Sequence, residues 1–555
     1  QPDAKEFVAL AVCGALTFVW CRHIAGAPQG LAGEGVLAAW GDYFVHGGAI
    51  SSFGDPRAVG RQAIEFADFP ARAYHHASYL LPAALAAPLD LPGLPLATSV
   101  WLPLGFLTMC AGAYALGAVL AGAAGGLAAL AAIALIPDAS IYGLRNGVFS
   151  FHWNVVVHPG AAYGTGLTLF AFALLRRWTA NADARTLLVS AALSAGTGMF
   201  RVHAFLVGFP AWLASAALAT RFVQQRKLTC FSAAALAFAV FAGAYYAGSG
   251  SAPALPGFLR ISHTEQEPTA YTGWYQALLD AHGPAVTLPA GLLLVLAASL
   301  GGLLLVYPLV AALVRASGTA PALEAAPAAA AAAYALLMIA APMPPFGYPH
   351  DLAYNSFALP YAVLAVWTAA TLVAWVAARD ERRMPPRLWR ALVLSAVAAL
   401  PLLWTGARTL AAPKFAWGLQ FDSLRLAPGM PQAAAFLREH SRPGQIFAVQ
   451  GLSLRWADVD AGTQLGALTG MPAYLARPAI QMSGSERASA AMARHGALRQ
   501  VAQETSPAAA LRRLRELGIA WYVVADQTGP RWDPERRAAA FTSGSVAVYS
   551  AADSR

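Results

Sequence analysis

Long apolar runs separated by short polar breaks dominate the first 410 positions of the chain. A helix needs about 20 apolar residues to cross the hydrocarbon of a bilayer. Eleven segments fit that pattern, near 6–24, 95–120, 121–137, 159–177, 185–200, 203–222, 228–248, 286–314, 323–342, 355–378 and 389–410, the third and fifth being short. The apolar segment 79–89 is too short to cross, contains Pro82 and Pro88 and ends in Asp90. It predicts a helix that lies in the interface or re-enters it. The first run lacks a strongly basic leader and a clear small-residue cleavage site, so it reads as a span and not as a signal peptide.

From about Ala411 the pattern changes. MPQAAAFLREHSRPGQIFAVQG predicts a helix, a Pro-Gly turn and a strand, and SPAAALRRLRELGIAWYVVADQ repeats that order with a Ser-Pro start and Gly518 at the stop. SVAVYSA predicts a last strand. The expected fold is thus a polytopic α-helical membrane protein of about 11 transmembrane helices. It would have a membrane domain over 1–410 with a large first outer loop at 25–94, and a soluble α/β domain over 411–555. No internal repeat is visible, and Ala328–Ala333 reads as span filler.

Composition agrees. The chain has 555 residues, of which 58% are hydrophobic and only 12% charged, against about 25% charged in a soluble domain. The net charge of +9 needs no nucleic-acid partner, because Lys and Arg collect on the cytoplasmic side of membrane spans. Arg176, Arg177 and Arg185 share one break, Arg221, Arg226 and Lys227 a second, Arg315 a third, and Arg379, Arg382, Arg383, Arg387 and Arg390 a fourth. With eleven spans all four lie on one side, which puts the N-terminus in the cytoplasm and the C-terminal domain outside. The 12 histidines then fall on or near the outer side. The four cysteines, Cys13, Cys21, Cys110 and Cys230, lie in or beside apolar segments, which argues against a disulfide framework or a cysteine metal site.

Titratable groups concentrate in Gly33 to Leu85, which carries Glu34, Asp42, His46, Asp55, Glu65, Asp68, His75 and His76. Asp42, His46 and Ile50 fall at four-residue spacing and share a face of an amphipathic helix over Val36 to Phe53. Either Asp42 and His46 pair structurally, or Asp42 is a carboxylate whose pKa is lifted at a low-dielectric boundary until it serves as a base. Glu34, Glu65 and Asp68 are the alternatives to Asp42 as that base. His75 and His76 suit hydrogen bonds to a sugar or phosphate better than a metal, since neighbours on a helix point about 100° apart. Arg145, His152 and His158, then Arg201 and His203, then His350 and Asp351 offer further polar groups to the outer side. An arginine beside a histidine at the membrane boundary suits a phosphate. Its plainer reading is an arginine snorkelling to the interface. Asp458 and Asp460 flank Val459 in the C-terminal domain, which otherwise lacks a phosphate-binding glycine loop.

The order of one apolar span, an outer loop with an acidic residue, the segment YHHASYLLPAAL, the run WLPLGFLTMCAGAYALGAVL, a multi-span body and an outer α/β domain resembles the GT-C superfamily of integral-membrane glycosyltransferases. The resemblance implies a polyprenyl-phosphate-linked sugar as donor, an inverting transfer on the extracytoplasmic face of a bacterial inner membrane, and a glycan, lipid or protein acceptor. It implies that Asp42 is the acidic residue of the first outer loop, although Gly41 stands where many members carry a second acid. No cofactor is required. A divalent cation could assist through Asp42 and a histidine, and no metal-ligand spacing demands one. A lipid or polysaccharide transporter or flippase, or a non-catalytic scaffold for envelope assembly, would fit the same apolar pattern.

Overall fold

In a computed structural model of the chain, residues 4–71, 75–142, 149–220, 270–316, 325–341, 351–377, 423–452, 454, 459–483, 485–527 and 529–552 are described. The spans expected near 228–248 and 389–410 lie outside them, as do Arg145, His350 and Asp458. The chain divides into two compact units, one of residues 1–20 and 104–420 and one of residues 21–103 and 421–555.

The first unit is a bundle of apolar helices. Across the described chain, five helices are long and apolar enough to cross a membrane, or six when Phe151–Val157 and Pro159–Asn181, which meet at 109°, count as one span. Other expected segments fold as shorter helices: Ala184–Phe200, Leu303–Ala316 and Ala325–Ala340. The run Gly93–Ala134 has 42 residues, about 63 Å if straight at 1.5 Å per residue, twice a bilayer. It breaks at Ala121 and Gly122, whose φ of 67° only glycine adopts readily. The chain doubles back there. A Cβ on Gly117 would lie 2.5 Å from the Gly125 carbonyl oxygen, and one on Gly126 would lie 2.6 Å from the Tyr114 ring. Small residues thus let the two arms touch, as they do between membrane helices generally. Gly112 and Gly166 serve the same purpose against Pro159–Asn181. Ser190 adds polar glue: its hydroxyl donates to Ala171 O (2.6 Å) and accepts from the Trp212 indole (2.8 Å).

The second unit joins the 25–94 loop and the C-terminal region in one body. Strand β1 (Val36–Leu37) pairs antiparallel with β2 (Leu424–Arg425). A four-stranded sheet is formed by β3 (Phe447–Val449), β4 (Trp521–Val524), β5 (Phe541–Ser543) and β6 (Val546–Ser550), in the order β3-β4-β6-β5. β3 and β4 are parallel, and the helices Ala461–Thr469, Ser485–Gln503 and Pro507–Glu516 lie in the connection between them. Ser506 caps the last of these through Ala509 N–H (3.3 Å) with Pro507 behind it, and Gly518 follows it at a φ of 71°. The core against the sheet takes Ile446, Tyr522, Val524 and Tyr549, and with them Phe66 and Ala67 from the loop. Ala67 N–H donates to Ala473 O (2.9 Å) and Ala473 N–H to Ile64 O (2.7 Å). The Arg494 guanidinium lies over the rings of Phe66 (4.7 Å) and Tyr474 (4.5 Å) and donates to Ala67 O (2.8 Å). Asp90 accepts from both Arg57 (3.4 Å) and Arg438 (2.8 Å), which ties the loop to helix Met430–His440.

Candidate active site

In the second unit Asp42 opens helix Asp42–Gly54, where the positive end of the helix dipole favours a carboxylate. Asp42 is half-buried. The helix starts six residues later than the pattern predicts, because Val36 and Leu37 are taken by β1. Its less buried side carries Asp42, Val45, His46, Ala49, Ser52 and Phe53, and Ile50 falls on the other. Tyr43, Phe44, Gly47, Gly48, Ile50 and Ser51 are buried. A Cβ on Gly47 would lie 2.8 Å from Leu94 N, and one on Gly54 would lie 1.9 Å from Ala83 O, so the helix is gripped by its neighbours at backbone distance. The Ser51 hydroxyl accepts from Gly93 N–H (2.9 Å).

His46, one turn after Asp42, is half-buried. Its Nδ1 lies 2.9 Å from the Tyr79 hydroxyl, and its ring is 4.5 Å from Trp101, centroid to centroid. Tyr79 and Trp101 stand 4.9 Å apart, and both are buried. Burial, with the Cys21 thiol nearby, pushes the Tyr43 phenol up, so this wall is neutral. His75 and His76 precede helix Ala77–Ala84 and do not lie along it. His75 is buried, and His76 packs 5.2 Å from Phe53. Leu80, Leu81 and Leu89 are exposed on the short apolar segment, while Ser78, Tyr79, Pro82 and Ala83 are buried.

Glu65, Asp68 and Asp460 have structural partners in this unit. Glu34 is exposed at the end of helix Ala27–Glu34. Glu65 lies 3.7 Å from Arg477, and Asp68 lies 2.8 Å from Arg61 and 3.7 Å from Arg494. Asp460 caps helix Ala461–Thr469: one oxygen accepts from Thr463 N–H and hydroxyl (both 2.9 Å), the other from Arg477 N–H (2.7 Å). Burial still pushes its carboxyl above the ordinary value, against those bonds.

In the first unit Arg201 is extended (φ −160°) between helices Ala184–Phe200 and Val202–Thr220, and is 4% exposed. Gly164 makes room for it, since a Cβ there would lie 2.8 Å from the Arg201 Cβ. His203 is buried, and its Nε2 lies 3.1 Å from Asp351 Oδ2. Asp351 Oδ1 accepts from the Asn355 amide (2.6 Å), whose oxygen accepts from the Asn154 amide (2.9 Å). Burial works against ionisation of Asp351, but His203, Arg201 and the Asn355 amide outweigh it and hold the carboxyl below the usual carboxylate range. His158 stands half-buried at the bend between Phe151–Val157 and Pro159–Asn181, edge-on to Trp153 (5.6 Å).

His152 is turned inward. Its Nε2 lies 2.9 Å from Ile133 O, its Nδ1 3.4 Å from Asp138 Oδ2, and its ring stacks on Trp20 at 4.8 Å. Both nitrogens serve the protein. Asp138, fully buried, also accepts from the Ser150 hydroxyl (2.8 Å) and His152 N–H (2.8 Å). Asp138 and Asn355 are polar residues that the sequence did not single out. The four-residue step from Asp351 to Asn355 in DLAYN was the available signal for one of them. Among the described residues no three His, Cys, Asp or Glu side chains gather as metal ligands.

No protein-family model matches the chain, and no curated protein matches it. Solved structures do. A mutant form of the arabinofuranosyltransferase AftD from Mycobacteria aligns with a TM-score of 0.50 at 14% identity, over 100% of this chain and 42% of that one. The oligosaccharyltransferase of Archaeoglobus fulgidus in its apo form aligns at 0.48 and 13% identity, over 93% and 69% of the two chains. The likeness to the arabinofuranosyltransferase, at a TM-score of 0.50, is one of fold.

Proposed function

We propose that the protein is an inverting membrane glycosyltransferase that moves a sugar from a polyprenyl-phosphate carrier to a glycan, lipid or protein acceptor. It would work on the extracytoplasmic face of a bacterial inner membrane. The observation that carries the reading is Arg201, an arginine buried at a break between helices in a membrane fold, with His203 and Asp351 at hand. A permanent planar cation in such a place is suited to a phosphate. In the proposed step Asp42 takes the proton of an acceptor hydroxyl. The freed oxygen lone pair forms the new bond to the anomeric carbon, and the bond to the phosphate oxygen breaks. The leaving polyprenyl phosphate keeps that electron pair. His46, His75 and His76 in the second unit, and separately Arg201, His158, His203 and Asp351 in the first, are proposed to bind substrate. No step runs through a metal ion.

The test is transfer of a labelled sugar from lipid carrier to acceptor by purified protein, with carrier binding measured separately. Asp42→Asn keeps shape and removes the base, and turnover is expected to fall by about 10²–10⁴ with binding retained. Near-normal turnover would remove Asp42 from the mechanism and move the base to Glu34. A protein that carries the lipid across vesicles without transferring sugar would be a flippase instead.

The orientation is tested on its own. With the N-terminus inside and 411–555 outside, cysteines placed by Ser453→Cys and Asp380→Cys in intact cells are expected to react oppositely with an impermeant label. Equal labelling from outside would reverse the proposed topology.

A further inference from the structure

We infer that Asn154, Asn355 and Asp351 form a positioning relay that fixes the His203 ring, with Nε2 as its donor and Nδ1 as its accepting nitrogen. The assignment follows from what each group can do. A carboxylate only accepts. Asp351 Oδ2, 3.1 Å from Nε2, therefore faces an N–H. Asp351 Oδ1 must likewise take its 2.6 Å bond from the Asn355 nitrogen. That turns the Asn355 oxygen toward Asn154, whose nitrogen donates at 2.9 Å. Each orientation dictates the next. Asn154, Asn355 and His203 are buried, and Asp351 between them is partly exposed, with a side-chain exposure of 24%. The reverse ring tautomer would set the Nε2 lone pair against a carboxylate lone pair.

The consequence concerns the ligand, and it rests on the reading of His203 as a substrate residue. Arg201 is a permanent cation, while a neutral His203 offers an acceptor on Nδ1. The pair then suits a ligand that carries a hydroxyl near a phosphate, as a sugar phosphate does. Asp351, Asn355 and Asn154 act through His203 and are positioning residues.

The relay is read directly by nitrogen NMR of the full-length protein with ¹⁵N-labelled histidine at pH 8, the His203 signals being assigned by their loss in His203→Gln. A protonated Nε2 and a bare Nδ1 are expected. In Asp351→Asn the Asn355 amide still donates to the side-chain oxygen, so the new NH₂ faces His203. The tautomer should switch to Nδ1–H. A bare Nε2 or a fully protonated ring in the native protein, or an unchanged ring in the variant, would overturn the relay. Should Asp351→Asn fail to fold, Asn355→Ala leaves a carboxylate that still only accepts, so Nε2 is expected to stay protonated while its proton exchanges faster as Asp351 loses its anchor, and an unaltered exchange rate overturns the relay equally. In the transfer assay Asp351→Asn is expected to lower kcat/KM for the lipid-linked donor by about 10²-fold or more, since a reversed tautomer exchanges donor for acceptor. A tautomer switch in a protein that transfers no sugar would leave the relay standing and remove the glycosyltransferase reading.

Discussion

His46 and His203 are held by opposite means. The Nδ1 of His46 meets a tyrosine hydroxyl, which can donate or accept, and its ring rests on Trp101. The helix beneath it is seated by Gly47 and Gly54 at backbone distance from its neighbours. His203 faces a carboxylate, which can only accept, at the end of a chain of amides. The first arrangement fixes where the ring is and leaves its tautomer open. The second fixes the tautomer as well. Shape changes should therefore disturb the His46 region, and changes of polarity the His203 region.

Arg201 gives the largest expected effect on that contrast. Arg201→Ala removes the fixed cation beside the His203–Asp351 pair, and transfer is expected to fall by about 10²–10³, as when one donor to a developing anion is deleted. Arg201→Lys keeps the charge but loses the planar fork, and should fall between wild type and Ala. Carrier binding and turnover, measured together, check both. Normal carrier binding by Arg201→Ala would mean that the cation serves the protein alone.

Two acids, Asp351 and Asp460, give opposite slopes with pH. Asp351 has a lowered folded pKa, so its contribution to stability is complete above the unfolded value of about 3.9 and is lost as pH falls through the folded value. Asp460 has a raised one, so its contribution is greatest in acid and declines as pH rises through the folded value. Thermal melts of wild type, Asp351→Asn and Asp460→Asn at several pH values read this out. The gap between wild type and Asp351→Asn should widen from acid to neutral pH, and that for Asp460→Asn should narrow. Parallel gaps would show that neither acid titrates as its surroundings dictate.

The parts of this architecture that were legible in the sequence are those set locally. The boundary between the apolar segments 95–120 and 121–137 coincides with the break at Ala121 and Gly122, because a glycine-rich stretch in an overlong apolar run has to turn. The helix-to-strand order was legible for Met430–His440 then β3 from a Pro-Gly turn, and for Pro507–Glu516 then β4 from a Ser-Pro start, Gly518 at the stop and a β-rich run. The apolar run 286–314 was read as one span, yet it stops at Leu300 and restarts at Leu303, with Gly301 at a φ of 54°. Nothing local announces that Phe66 and Ala67 belong to the core of the C-terminal sheet, or that Glu65 answers Arg477. Those pairings span about 400 positions and come from packing alone. The amphipathic reading of the Asp42 helix placed Asp42 and His46 on one less buried face but missed what covers the other, where Ile50 lies. Glycines count as neither polar nor apolar in a pattern, but here they mark the sides where other backbones approach.

Tyr79→Phe is the smallest change and the sharpest check on the contrast. It deletes the hydroxyl that meets His46 Nδ1 and keeps the ring against Trp101 (4.9 Å) and near His76 (6.0 Å). A hydrogen bond of this kind contributes about 0.5–1.5 kcal/mol net, so the melting temperature of the unit should drop by only about 2–4 °C. Since the hydroxyl does not dictate which nitrogen of His46 bears the proton, transfer should change less than about tenfold, against the larger loss a mis-set tautomer brings. Turnover and a melting curve on the same preparation decide it. A loss of 10²-fold or more in a protein that melts normally would mean that Tyr79 sets the state of His46 as firmly as Asp351 sets that of His203. The two histidines would then be held by one principle and not two.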